Sequence, residues 1–270
     1  MKSLKPVAMC CLGIAALAST PVVAEELSND WQFQANINGW FPDIAGKTAF
    51  GVGDGRDFDV DIGTILDNLE FTLQGSFAVQ KGKWGAFTDL VYMDLSASKS
   101  GTLDLTLGDL ELPASVSADL NLDQTTTIWT VAGSYRLQAT PSGSMDVLAG
   151  VRLFDADSTL GWNFSGDFGP ITPPPLTGET NVASSNWDAI VGIKGHFALG
   201  ADSDWSMPYY ADVGTGDSDL TWQASLGLNY SFNWGDVGLN WRYMEYQLAS
   251  GEKINDMNFN GPALAVAFRW

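Results

Sequence analysis

The stretch Leu220-Thr221-Trp222-Gln223-Ala224-Ser225-Leu226-Gly227-Leu228-Asn229-Tyr230-Ser231-Phe232 alternates without a break. Its even positions carry Leu220, Trp222, Ala224, Leu226, Leu228, Tyr230 and Phe232, and its odd positions carry Thr221, Gln223, Ser225, Gly227, Asn229 and Ser231. Successive side chains of a strand point to opposite faces, so this is a strand with one apolar wall and one polar wall. A helix would repeat its apolar residues every three or four positions instead.

The same split recurs along the chain. Trp31, Phe33, Ala35, Ile37 and Phe41 stand against Gln32, Gln34, Asn36 and Asn38; Phe71, Leu73, Phe77 and Val79 against Thr72, Gln74 and Ser76. Trp84, Ala86, Leu90 and Tyr92 leave Asp89 on the other face, Trp129, Val131, Tyr135 and Leu137 oppose Arg136, and Met145 to Leu153 oppose Asp146 and Arg152. Trp187, Val191, Ile193, Phe197 and Leu199 oppose Asp188, Lys194 and His196, and Trp205, Met207, Tyr209 and Val213 oppose Asp212. Val237, Leu239, Trp241 and Tyr243 oppose Arg242, and Leu264, Val266, Phe268 and Trp270 oppose Arg269. These segments make about ten strands of about ten residues each, the length of a tilted strand that crosses a hydrocarbon layer. Strands of a soluble sandwich average about five or six residues and turn their apolar face inward. The expected fold is therefore all-β: a single antiparallel up-and-down transmembrane barrel of about 10 strands, with 8 or 12 as alternatives, apolar outside and polar inside.

The connections agree. Gln80–Lys83, Gln138–Gly143, Gly200–Asp204 and Asn233–Gly235 are short and fall on one side, expected to be periplasmic; 42–68, 98–123, 159–185, 214–219 and 250–257 fall on the other. Within the first long loop, Ile62 to Leu69 is expected to form a short helical piece. Leu103, Leu105, Leu107, Leu120 and Leu122 alternate again, which extends the third and fourth strands outward as a hairpin and calls for a switch of face, by a bulge, near Met93 to Leu95. Trp31, Trp84, Trp205, Trp234 and Trp270 lie near one set of strand ends, and Trp40, Tyr92, Trp162, Trp187 and Trp222 near the other, as membrane-interface aromatics do.

The first residues read as a sorting signal. Lys2 and Lys5 precede an apolar run from Val7 to Ala18, too short to span as a helix, and Val22-Val23-Ala24 offers a cleavage site, dividing the chain into a signal peptide (1–24) and a barrel (25–270). Cys10 and Cys11 leave with the signal, so no disulfide or thiolate metal site is expected in the mature chain. Thirteen basic residues against 32 acidic ones, with a net charge of −19, argue against a nucleic-acid partner, which needs clustered Lys and Arg.

The final residues Ala265-Val266-Ala267-Phe268-Arg269-Trp270 resemble the C-terminal assembly signal of bacterial outer-membrane barrels, here closing on Trp where Phe is commoner. The stretch from Trp31 through the Asp-rich loop to Lys83-Trp84-Gly85 is similar to a group of uncharacterised proteobacterial outer-membrane proteins of this size. The resemblance implies a Gram-negative outer-membrane location, contact with outer-membrane lipid and lipopolysaccharide, and recognition of the last strand by the barrel assembly machinery; it implies no established activity.

Candidate functional residues are those aimed inward: Asp89, Arg136, Asp146, Arg152, Asp188, Lys194, His196, Asp212, Gln223, Arg242 and Arg269. Charges at membrane depth must pair or meet water, so these residues either plug a narrow barrel or line a small, porin-like passage. Asp54, Asp57, Asp59 and Asp61 invite a calcium reading, but counting from Asp57 the sixth and twelfth positions hold Ile62 and Asn68 where an EF-hand needs Gly and Glu; Asp57, Asp59 and Asp61 remain weak candidates for loose divalent-ion binding, and no cofactor is expected. His196 is the single histidine and lies near the periplasmic end, away from the outer rim where the His–Asp pair of ten-stranded outer-membrane proteases works. With no Gly-x-Ser-x-Gly elbow, the expectation is a non-enzymatic barrel in which His196 hydrogen-bonds a neighbouring strand. The functional expectation is a narrow passive channel or structural barrel; the alternative is a surface-binding barrel that uses its acidic loop and the loop around Pro173-Pro174-Pro175.

Overall fold

The computed structural model describes residues 29–48, 56–60, 63, 67, 69–107, 112–167, 175–200, 203–248 and 254–270. Twelve strands follow in order: β1 (Gln32–Trp40), β2 (Asp43–Thr48), β3 (Arg56–Val60), β4 (Leu69–Lys81), β5 (Trp84–Leu107), β6 (Leu112–Thr140), β7 (Gly143–Asp167), β8 (Leu176–Ala198), β9 (Trp205–Gly216), β10 (Ser218–Phe232), β11 (Gly235–Leu248) and β12 (Ile254–Arg269). The ladder runs β1-β4-β5 through to β12, and β12 pairs back to β1, closing an antiparallel barrel of ten strands. The seam is sealed next to the last pair, Gln34↔Arg269, where the Phe33 N–H donates to the Trp270 carbonyl at 2.9 Å and the Trp270 N–H returns to Phe33 at 3.1 Å. Closure leaves no wall edge unpaired, which is what a strand structure in lipid requires.

Three of the turns at the end where the chain starts and stops have two residues: Gly82-Lys83, Pro141-Ser142 and Asn233-Trp234. Gly82 has φ +56°, the left-handed conformation that primed hairpin turns demand and that glycine adopts without cost. At the opposite end the β9–β10 connection is also tight, with Asp217 alone between the strands rather than a loop from Gly214 to Asp219.

The expected long loops are largely strand. β5 and β6 stay paired to Leu107↔Leu112, and β7 and β8 to Phe164↔Leu176, so 98–107, 112–123, 159–167 and 176–185 are strand. Four strands of 23 to 29 residues thus leave the barrel wall as a protruding antiparallel sheet. Pro173 and Pro174 lie outside the described residues, and Pro175 immediately precedes β8. The expected first loop holds the β2–β3 hairpin, which prolongs the line of β1 and pairs with β12 from Ile254 to Asn260. Asp57 and Asp59 lie on β3, while Asp54 and Asp61 fall outside the described residues, as does most of the helical piece expected over 62–69.

The outer wall is apolar. Ile37 (66% exposed), Leu264 (59%) and Val191 (58%) stand on it with Leu73, Leu226, Leu239 and Trp241. A continuous apolar band of this kind is far larger than the patches soluble monomers expose, and it faces acyl chains. Aromatics border it at the turn end, where Trp84 meets Tyr135 (4.9 Å between ring centroids), Trp205 meets Tyr230 (5.0 Å), and Phe33 meets Trp270 (5.9 Å). At the other border Trp129 meets Trp187 (6.3 Å) and Trp222 meets Tyr243 (4.7 Å), with Tyr92 also outward. Trp84 and Tyr92 on β5, like Trp222 and Tyr230 on β10, stand eight residues apart, and at about 3.3 Å per residue along a tilted strand that is a band of roughly 20 Å.

Trp40 corrects the sequence reading. It points into the barrel at 2% exposure, on the same parity as Asn36 and Asn38. β1 parts from β4 after Ile37↔Gly75, and Gln74 replaces the lost ladder: the Trp40 N–H donates to its Oε1 at 2.7 Å and its Nε2 donates to the Trp40 carbonyl at 2.9 Å. Trp162 lies beyond the border, in the protruding sheet, paired with Leu120 and Gly178. The expected switch of face on β5 near Met93 to Leu95 does not occur: the β5–β6 register runs unbroken from Trp84 to Leu107, and the irregularity that does lie here, between Leu69↔Leu95 and Phe71↔Asp94, puts its extra residue on β4. The faces keep their sides and the chemistry changes instead. Past Tyr92, Trp129 and Leu153, the outward positions become Asp94, Thr127 and Asp155, while inward ones become Val91, Met93, Ile128 and Phe154.

A charge on the apolar wall should be costly. Leu239, opposite Leu228 and Leu264 in mid-wall, is expected on replacement by Arg to lose about 2–4 kcal/mol of folded-state stability in vesicles. Urea titration of the two proteins measures this, and an unchanged midpoint would mean that the wall does not meet lipid.

Candidate functional site: the barrel interior

Every inward residue expected from the sequence points into the lumen, because the two-residue period carries each strand's polar set to the same side. Arg136 grips Asp146 with Nε (2.7 Å) and Nη2 (3.1 Å), and Arg269 Nη2 donates to Asp236 at 2.7 Å. Arg242 Nη2 donates to Asp89 at 2.9 Å and to Gln223 Oε1 at 3.1 Å. Gln223 Oε1 also accepts from Arg152 Nη2 at 3.2 Å, so one amide ties two guanidinium groups together.

Arg152 is the centre of the interior. Its side chain and that of Asp212 are both wholly shielded from solvent. Nη1 donates to Asp212 Oδ1 at 2.9 Å and Nη2 donates to Oδ2, a two-point grip across β7 and β9, and Nε donates to Thr130 Oγ1 at 3.2 Å. Asp188, opposite Arg152 in the β7–β8 ladder, is not its ion-pair partner; its Oδ1 accepts the Ser218 N–H at 2.9 Å. His196 Nδ1 lies 3.0 Å from Ser144 Oγ on the adjoining strand, a cross-strand hydrogen bond. Lys194 extends over the Phe87 ring, 4.6 Å from its centroid.

Above Arg152 the lumen is filled by apolar side chains. Phe154, Tyr246, Phe259, Met244 and Ile128 are fully buried, and Trp40, Val91, Met93 and Met257 pack with them. Phe154 sits 4.5 Å from the Tyr246 ring and 6.3 Å from the Phe259 ring, and the Arg242 guanidinium lies 4.7 Å over Trp40. Sequence reasoning missed this layer because it assigned apolar residues to the outside; counting inward positions beyond Arg152 and Arg242 reaches Phe154, Met244 and Tyr246 directly. The same count past Gly238 toward the turn reaches Asp236, also missed.

Below the layer is a vestibule of about 950 Å³, lined at the turn end by Gln32, Gln80, Ser203 and Trp205 and deeper in by Asp89, Thr130, Tyr210 and Arg242. The lumen is therefore a polar chamber open at the turn end and stopped by the Arg152–Asp212 pair and the aromatic layer. Gripping ion pairs in such a stack hold the wall in register.

The closed ladder, the apolar exterior and the inward-facing charges define an integral-membrane β-barrel. No family model matches the chain, and no curated protein matches it. Among solved structures, the chain is similar to the translocator domain of autotransporter NalP from Neisseria meningitidis (14% identity, TM-score 0.35, covering 89% of this chain and 88% of that one). It is also similar to Ail, the attachment invasion locus protein of Yersinia pestis (8%, 0.28, 89% and 98%), and to a Pseudomonas aeruginosa FadL homologue (10%, 0.25, 90% and 90%). At these scores the architecture rests on the chain's own ladder rather than on the likeness.

Proposed function

We propose that the chain is a closed, non-conducting barrel of the bacterial outer membrane, with its turns in the periplasm, that anchors the protruding β5–β8 sheet on the cell surface. The observation that supports this reading is the filled section of the lumen, where Arg152, Phe154, Tyr246 and Phe259 from three different strands are each less than 2% exposed. A barrel of about eight strands is just filled by side chains, and ten strands with large aromatic residues inside reach the same state. In planar bilayers the refolded protein is expected to give no ion current above the leak of protein-free membranes; steady unitary currents would overturn the proposal.

A second reading, surface binding, draws on the protruding sheet. Its lumen-side face carries Leu120, Leu122, Leu160, Phe164 and Leu176, all exposed, and its outer face carries Asp119, Asp123, Asp157 and Glu179. On this reading the sheet meets its partner above the lipopolysaccharide, with assembly guided by the C-terminal strand.

A further inference from the structure

One cation of the vestibule has no carboxylate at its head, although the four basic residues of its lining (Arg136, Lys194, Arg242 and Arg269) balance its four aspartates (Asp89, Asp146, Asp204 and Asp236). Three of its cations are committed: Arg136 to Asp146, Arg242 to Asp89 and Arg269 to Asp236. Lys194 makes no ion pair among the described residues, and its cross-strand neighbour Asp146 already has both oxygens on Arg136. Asp204 lies at the mouth, where it accepts the Tyr230 hydroxyl at 3.2 Å. Lys194 is thus an unpaired cation inside a chamber, where screening by salt is weaker than at an open surface. Beside it the Phe87 and Tyr210 rings meet edge to face at 5.9 Å, and Pro208 adds a further apolar surface. His196 and the Arg136 guanidinium line the same side. A cationic donor next to an apolar shelf, in a chamber of about 950 Å³, is the layout of a small-molecule site.

We propose that the vestibule binds a small organic anion entering from the turn end, with a carboxylate or phosphate group on Lys194 and an apolar body against Phe87 and Tyr210. The ligand's charge meets the Lys194 ammonium and breaks none of the three wall ion pairs. The site is separate from conduction, since it ends below the Arg152–Asp212 pair; a current through the barrel would sink the closed-barrel reading and leave this one standing.

Isothermal titration of the refolded full chain in a non-ionic detergent, with benzoate, inorganic phosphate and benzyl alcohol as probes, tests it. Benzoate is expected to bind and uncharged benzyl alcohol not to. Lys194→Gln is expected to weaken benzoate by about tenfold or more, the loss of one charge-assisted contact, while Lys194→Arg retains it. Phe87→Ala should weaken benzoate and leave phosphate unchanged. The heat-dependent gel shift of a folded barrel checks that each variant is closed. Absence of binding by both anions, or benzoate bound by a folded Lys194→Gln barrel as tightly as by the native one, overturns the proposal.

Discussion

Replacing Arg152 with Ala is expected to destabilise the folded barrel by about 3–5 kcal/mol, because it strands a buried carboxylate. Asp212 is wholly shielded and both its oxygens accept from Arg152. Without the guanidinium, Asp212 must stay charged in a dry site or take up a proton, and Gln223 and Thr130 lose a donor as well. The pair itself need not be worth that much. Exchanging both partners for apolar residues of similar volume, Arg152→Met with Asp212→Leu, is expected to recover most of the loss, since the desolvation cost goes with the charges. Urea unfolding in vesicles, followed by tryptophan fluorescence, reads all three proteins. If the single and double replacements prove equally unstable, the effect is one of packing and not of an orphaned charge.

The second large effect is expected at Phe154. Its ring is fully buried between Tyr246 and Phe259, and Phe154→Ala is expected to cost about 3–5 kcal/mol, the range for emptying a large aromatic site in a packed core. Phe164, ten positions along the same strand and on the same face, provides the control. It is 39% exposed on the protruding sheet, and its replacement by Ala is expected to cost about 0.5 kcal/mol or less. Similar losses at both positions would mean that the interior layer is not a packed core.

The contrast between these two phenylalanines also shows where sequence reasoning succeeds and where it stops. All ten wall strands and the inward direction of Arg136, Arg152, Lys194 and Arg242 are legible, because period-two alternation between apolar and polar residues is a local property. Trp40 was misplaced because Gly39 interrupts the alternation and Trp is common at interfaces; its parity with Asn38 was the better guide. The β2–β3 hairpin was missed because Asp57 and Asp59 read as a solvated loop, although Phe58 and Val60 alternate with them. Leu103 to Leu122 was read correctly as a hairpin. The switch of face attached to it does not occur, because outside the lipid layer the solvent is water and the outward preference reverses, and the irregularity opposite Asp94 and Leu95 falls on β4 and leaves the faces of β5 unchanged. The partners of Asp188 and Asp212 were beyond reach, since Arg152 faces several inward carboxylates and only the strand tilt selects Asp212.

The reversal of greasy and polar sides along β5, β6 and β7 acts as a ruler for depth. A thicker hydrocarbon layer would draw Asp94, Thr127 and Asp155 out of water, and a thinner one would strip acyl contact from Tyr92, Trp129 and Leu153. Either displacement is uphill, so the barrel resists sliding along the bilayer normal. The height at which the protruding sheet stands above the membrane is therefore set by the polypeptide itself.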